Sequence, residues 1–582
     1  MISPTRIEAA YQRAKAELLA ERNSAGFWLG ELSSSALSTA TAVSALSLFG
    51  GHDAVVQRGL RWLAEHANED GGWGDTVKSF SNISTTMLCR AAFRLAGAAD
   101  SFADVLARAE KFLNLRCGTT AAEQAEAIRS RYGKDRTFSV PILMNAALAG
   151  LVPWDEVPPL PFELACLPQS WYRWASMPVV SYALPALIAI GQTIHHHRPT
   201  RWPMVRWLRQ AAIPRSLRVL RRMQPSSGGF LEATPLTSFV VMALVSCQAH
   251  RRHEAADDVV RRGVEFLLHS VRPDGSWPID SNLSVWVTTL SINALAAAND
   301  LESLDRRDDL VRWLRERQET QRHPFTGADP GGWGWSHLPG SVPDADDTPG
   351  ALLALAAMSS SSADEAWRRG SAWLIGLQNR DGGMPTFCRG WGKLPFDRSG
   401  CDLTAHALRA WGLAPDEPSH QRATRRALDY LARQQRADGS WLPLWFGNQH
   451  APDDVNPTYG TCRVLAAFRD LKLLSQKPAR SGLRWLWANQ NDDGGWGGLR
   501  GTPSSTEETA LALEILADAP ETNLPAFQRG LAWLVDRVES GFWRDAAPIG
   551  FYFAKLWYFE KLYPLIFTVA ALGKARQETR ST

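Results

Sequence analysis

The sequence predicts an all-α protein built from stacked helix pairs, and three observations predict it. A helix–turn–tryptophan unit recurs along nearly all of the 582 residues. Apolar residues within each unit fall at helical spacing, and few segments alternate as long strands do. Tryptophan is in surplus, 25 residues against 9 tyrosines, and the unit explains most of that excess.

In chain order the units are RGLRWLAEHANEDGGWG from Arg58, RGVEFLLHSVRPDGSW from Arg262, RGSAWLIGLQNRDGGM from Arg369, RALDYLARQQRADGSW from Arg426, SGLRWLWANQNDDGGWG from Ser481 and RGLAWLVDRVESGFW from Arg529. Weaker copies start at Arg108 and Arg215, and a third, VRWLRERQ from Val311, leads into GGWGW. Successive units lie 47 to 60 residues apart, except for one step of 107 between positions 109 and 216, where a unit is interrupted. Each begins with a helix that ends near a glutamine. Asp-Gly or Gly-Gly then makes the turn, because glycine takes the positive φ that closes a helix. A tryptophan follows, and then a second apolar helix. One such pair cannot bury its own apolar face, so pairs must stack. An open solenoid and a closed α/α barrel both satisfy that need, and periodicity does not choose between them.

Trp73, Trp277, Trp441, Trp496 and Trp543 stand at the repeat position and read as plugs between pairs, with the indole N–H bonded to the turn. Trp174, Trp286, Trp335 and Trp445 fall outside it and carry the functional question.

Composition narrows the partners. With 63 Lys+Arg against 60 Asp+Glu, the chain lacks the one-sided basic excess of a nucleic-acid binder, so no nucleic acid is expected. Seven cysteines without close pairs are no disulfide framework, which fits a reducing compartment. The opening MISPTRIEAAYQRAKAELLAERN is charged and amphipathic, unlike a secretion signal. The longest apolar run, Met177 to Gly191, is shorter than the ~20 residues of a membrane span. A cytoplasmic protein is expected.

One motif breaks the repeat. GGWGWSHLPGSVPDADDTPGALLALAAM places Asp344, Asp346 and Asp347 within four residues, directly before an apolar helix that starts at Thr348 and Pro349. A helix N-terminus favours acids and proline, which accounts for one or two of the three. Three so close repel one another and raise at least one pKa, leaving a protonated carboxyl suited to general acid work.

DADDT among so many tryptophan units resembles the DxDD box and QW repeats of squalene–hopene cyclases and other class II terpene cyclases, along nearly the whole chain. The resemblance implies two α/α barrels, one inserted in the other. A catalytic barrel would comprise residues 1–25 plus 290–582, and the inserted barrel 26–289. Asp346 would be the proton donor to a terminal alkene, flanked by Asp344 and Asp347. GCDLTAHALRAW matches the family's DVTAH-type segment, so Asp402 and His406, on one helical face, join the catalytic set, with a cationic His406 stabilising the carboxylate that proton transfer leaves. No metal and no redox cofactor is implied.

Carbocations formed after protonation need aromatic faces, worth ~2 kcal/mol or more per desolvated contact. By local context Trp174, Trp286, Trp335, Trp445 and Tyr459 match family pocket residues, and Phe551, Tyr552 and Trp557 fall in the tail that steers later rings. The unit at Arg369 ends in Met384 where tryptophan is usual, and Phe387 stands in for a pocket tyrosine of that region. Thr39 lies near the place of an N-terminal glutamate in hopene-forming members. Between the barrels, residues 195–215 mix Trp202, Met204, Val205, Trp207 and Leu208 with Arg201, Arg206 and Arg209, a pattern suited to an interfacial helix.

The leading expectation is a proton-initiated cyclase acting on squalene or a similar linear triterpene to give a hopanoid-type product. It would act as a peripheral protein on the cytoplasmic membrane face, with a homodimer left open. A class II cyclase of a shorter prenyl substrate, such as a diterpene diphosphate, shares the box. A zinc-holding prenyltransferase-like subunit would need ligands more spread than Cys401, Asp402 and His406. A non-enzymatic helical-repeat scaffold leaves the aspartates without purpose.

Overall fold

The structure, a computed structural model, describes residues 2–133, 135–175, 184–248, 253–324, 326–359, 365–387, 389, 396–519, 524–551 and 555–581. Helix α1 (Pro4–Ala20) precedes β1 (Ser34–Ser35), after which the chain alternates between inner and outer helices. The inner helices of the first unit are α2 (Ala36–Phe49), α4 (Ile83–Leu95), α7 (Arg136–Leu148), α9 (Leu184–His197) and α11 (Thr234–Gln248). Each packs on the next, and α11 returns to α2, so the ring closes. Outside it lie α3 (Asp53–Glu65), α5 (Ala103–Cys117), α6 (Ala121–Tyr132), α10 (Pro203–Met223) and α12 (Glu254–Ser270), while the short α8 (Gln169–Trp174) sits between α7 and α9 in sequence. β2 (Trp277–Pro278) pairs antiparallel with β1, so the chain enters and leaves this ring side by side.

A second ring follows. Its inner helices are α13 (Ser284–Ala297), α15 (Asp347–Ser359), α17 (Cys401–Trp411), α19 (Pro457–Asp470), α21 (Thr506–Leu516) and α23 (Tyr563–Ser581), with α23 closing back on α13. Its outer layer is α14 (Arg307–Glu316), α16 (Glu365–Leu377), α18 (Pro418–Gln434), α20 (Lys477–Ala488) and α22 (Leu524–Ser540), completed by α1, which packs on α23 and α22. A hairpin of β3 (Ile549–Phe551) and β4 (Leu556–Tyr558) precedes the last helix.

The tryptophan unit has one recurring geometry. Trp73, Trp277, Trp441 and Trp496 each donate the indole N–H to a carbonyl ten residues earlier, Leu63, Leu267, Leu431 and Leu486, at 2.7–2.9 Å. The glutamine at the end of the preceding helix bridges two carbonyls, as Gln490 does to Gly494 (2.7 Å) and to Ala526 of the next outer helix (2.8 Å). The next outer helix must come close to the indole. A Cβ on Gly482 would lie 2.7 Å from Trp441 Cζ3, so only glycine fits there.

Three expectations change. Trp543 is buried, but its indole N–H has no partner among the described residues, so the last unit does not repeat the bond there. Trp28, outside the expected set, takes that place, donating to Leu18 O at 2.7 Å with the same ten-residue offset. Thr39 Oγ1 accepts the Trp277 backbone N–H at 3.0 Å, a scaffold role.

Two apolar cores result. One gathers residues between Ala36 and Trp277, the other Ile7–Leu32 together with Ile279–Ala575. The first ring's core thus lies wholly within the expected 26–289. Trp28 fills the gap beside α1 and Trp286 sits on α13, so both pack in the second ring's core.

Candidate active site

The DADDT turn stands at the N-terminus of inner helix α15. Asp344 Oδ1 accepts the backbone N–H groups of Asp346 (2.8 Å) and Asp347 (2.7 Å), which fixes the turn and satisfies two donors that a helix start leaves open. Burial pushes the Asp344 carboxyl up to about 7, and burial with the neighbouring Asp344 pushes Asp347 well above the usual range. Their carboxyls hydrogen-bond to each other. Asp346 is different, because its side chain keeps 21% of its surface open. Its Oδ1 lies 2.8 Å from His406 Nδ1 on α17. Gly350, one turn into α15, lets α13 pack closely there, since a Cβ would lie 2.9 Å from Thr289 Oγ1.

His406 is buried, and burial lowers its pKa despite the Asp346 contact. Burial thus works against the expected cation, and the Asp346 contact works for it. Asp402, four residues back, does not bond to it. Asp402 Oδ1 accepts Leu444 N at 2.9 Å and its Oδ2 accepts Trp445 N at 3.4 Å, while burial raises its pKa to about 6. It positions the strip that carries Trp445.

Trp286 projects from the first turn of α13, whose N–H groups at Val285 and Trp286 donate to the Trp335 carbonyl. Its ring meets His406 edge-on at 6.0 Å, and its N–H donates to Tyr563 OH at 3.0 Å. Tyr563 OH is 3.1 Å from Tyr558 OH. On another side, Phe387 lies 6.1 Å from both Trp335 and Trp445 and 5.3 Å from Phe396. Tyr459 is buried against Phe446 at 4.5 Å. Thr386 joins box and wall: its carbonyl accepts Ala345 N at 2.9 Å and its Oγ1 accepts the Trp445 indole N–H at 3.0 Å.

Trp286, Trp335, Phe387, Trp445 and Tyr459 are thus placed with the box. Trp174 is not, being 89% exposed on α8. Trp557 follows the alternation of a strand, which turns it away from Tyr558 and its partner Tyr563; its backbone N–H donates to Asp75 Oδ2 at 2.8 Å. Tyr552 lies outside the described residues, and of Phe551 only the backbone, in β3, is described. Sequence reasoning missed Thr386, Phe396, Phe446, Tyr558 and Tyr563. The helical stripe that places Tyr563 one face from Phe567, 5.8 Å away, was the available signal for the last.

A closed α/α ring with a carboxyl triad at one inner helix and aromatic rings around it defines the class of an α/α-toroid cyclase. Residues 282–577 match the squalene-hopene cyclase C-terminal domain, 11–201 the N-terminal domain, and 172–331 the prenyltransferase alpha-alpha toroid domain. The chain belongs to the squalene–hopene cyclase family and is a class II terpene cyclase, an intramolecular cyclase enzyme. It is 24% identical to a probable squalene–hopene cyclase of Sinorhizobium fredii over 97% of this chain and 96% of that one. An enfumafungin synthase of Hormonema carpetanum is 27% identical over 82% of this chain, which spans only 41% of that protein. A drimenyl diphosphate synthase of Streptomyces showdoensis is 29% identical over 51% of each. The solved ent-copalyl diphosphate synthase of Streptomyces platensis shares the fold, with a TM-score of 0.59 at 19% identity over 98% of this chain and 99% of that one.

Proposed function

We propose that the enzyme cyclises squalene or a similar linear triterpene, with Asp346 as proton donor. The 2.8 Å contact between Asp346 Oδ1 and His406 Nδ1 supports the donor, and the near full-length similarity to a probable squalene–hopene cyclase supports the substrate. With the imidazole neutral and its Nδ1–H donating to Oδ1, the acid proton resides on Oδ2. The terminal alkene takes that proton, its π pair forming the new C–H bond, and a carbocation and the Asp346 carboxylate result. Later alkenes attack in turn while Trp335, Phe387 and Trp445 face the migrating charge with ring quadrupoles and no nucleophile. A final proton loss or water capture ends the sequence.

The ring formed within residues 36–277 serves as the inserted barrel, and the rest as the catalytic barrel. Membrane contact is supported by exposed Trp171, Trp174, Trp202, Met204 and Trp207 on α8 and at the start of α10. Among the described residues no helix is long and apolar enough to cross a membrane.

The second reading keeps the acid and changes the substrate to a prenyl diphosphate, the product class named for the Streptomyces relatives. Incubation with squalene and, separately, geranylgeranyl diphosphate, followed by gas chromatography with mass detection, decides between them. Asp346→Asn is expected to lower turnover by about 10³-fold, within the range of general acid catalysis. Wild-type turnover in that variant would remove Asp346 from its role.

A further inference from the structure

An apolar site built to hold carbocations has no evident use for a buried cation, yet α19 supplies one. Arg463 follows Tyr459 by one helical turn and lies over its ring, with the guanidinium carbon 5.3 Å from the centroid. Its Nη2 is buried and has no hydrogen-bond partner among the described residues. The neighbouring arginines are paired: Arg409 with Asp470 at 2.6 Å, and Arg469 with Asp470 at 2.9 Å and Glu514 at 3.0 Å. A buried cation left short of partners is costly, so something else must favour it. Tyr459, its phenol kept neutral by burial, hydrogen-bonds the guanidinium; the charges that act on Arg463 are Asp346 and Glu514, and Arg463 in turn acts on His406.

We infer that Arg463 is a positioning residue for the acid, balancing the carboxylate that appears on Asp346 when its proton leaves. The inference rests on Asp346 being the donor. His406, its charge opposed by burial, supplies the hydrogen bond, and the guanidinium supplies the charge. The acid's proton moves from Oδ2 to an alkene carbon, and Arg463 neither gains nor loses one. A diphosphate head does not account for the arginine, because in a linear prenyl diphosphate the head lies at the opposite end from the alkene that is protonated.

The test uses the full-length enzyme with Arg463→Met and Arg463→Lys, on whichever of squalene and geranylgeranyl diphosphate the wild type turns over. Arg463→Met is expected to lose about 10²-fold in kcat with KM nearly unchanged, as removal of a preorganised stabiliser does, and Arg463→Lys to recover most of that loss. A second readout needs no turnover. The His406 imidazole, followed by NMR in histidine-labelled protein, is expected to titrate higher in Arg463→Met. The other groups facing it, Asp344, Asp346 and Asp347 from α15, Asp402 and Arg409 from α17, Tyr459 from α19, and Tyr558 and Tyr563 beyond Trp286, stay in place. Four results would overturn the inference: kcat kept in Arg463→Met, a raised KM with kcat kept, Lys and Met variants equally impaired with a lowered melting temperature, or an unmoved His406 titration. A wild type that cyclises neither substrate would sink the proposed function, and the titration would still decide the arginine's reach.

Discussion

At Asp346 the chemistry depends on what surrounds two oxygens. Asp344 and Asp347 are sealed behind it and hold the turn, His406 meets one oxygen, and the open surface belongs to Asp346 alone. The identity of these residues was legible in the sequence, since three acids before an apolar helix exceed what a helix start requires. Their division of labour was not, because the roles depend on burial, and burial comes from helices hundreds of residues away. Asp402 shows this well: its spacing from His406 is right for one helical face, but its carboxylate turns to the backbone at Leu444 and Trp445. Thr386 was invisible for the opposite reason, since an ordinary threonine in a loop gives no signal until both of its partners are placed. Thr386→Val keeps the shape and removes the hydrogen bond that Thr386 Oγ1 accepts from the half-buried Trp445 indole N–H, a loss of about 1 kcal/mol. The expected outcome is a shift toward early-terminated products as Trp445 loosens, read by gas chromatography of the product mixture.

Helices and turns were the more readable scale. The repeat fixes where an outer helix ends and where its tryptophan points, and the structure keeps that geometry at Trp73, Trp277, Trp441 and Trp496. Ring closure was not readable, because a repeat shows that neighbours stack and says nothing of whether the last meets the first. The exceptional last unit follows from closure: there α1 arrives from the other end of the chain, Trp28 takes the bond to Leu18 O, and Trp543 packs without one among the described residues. The two tryptophans therefore separate hydrogen bonding from packing. Trp496→Phe loses a bond worth about 1 kcal/mol in addition to area, whereas Trp543→Phe loses area alone. Thermal melting is expected to fall further for Trp496→Phe. Equal drops would mean the indole bond contributes nothing to the unit.

Across the whole molecule, buried carboxyls couple folding to pH. Burial pushes Glu507 up to about 8 and Asp344 and Glu560 to about 7. On unfolding they return to ordinary carboxylates and release protons, so the stability they contribute is full below about pH 4 and is lost as pH rises through 7 to 8. Buried histidines such as His323, lowered to about 4, act in the opposite sense, but only below about pH 6.5. Between pH 6.5 and 8.5 the carboxyls set the sign, and the melting temperature is expected to fall. A flat or rising profile over that window would show that these groups are ionised in the folded chain. The two rings also differ in how far along the chain their parts are drawn from. The first closes within residues 36–277, while the second needs α1 against α22 and α23, with Arg6 reaching Asp536 and Glu539. During synthesis the first ring can therefore finish while the ribosome is still at work. The second must keep α1 waiting, its apolar stripe uncovered, until α22 and α23 have emerged, so this ring is the one most exposed to chaperones and to aggregation.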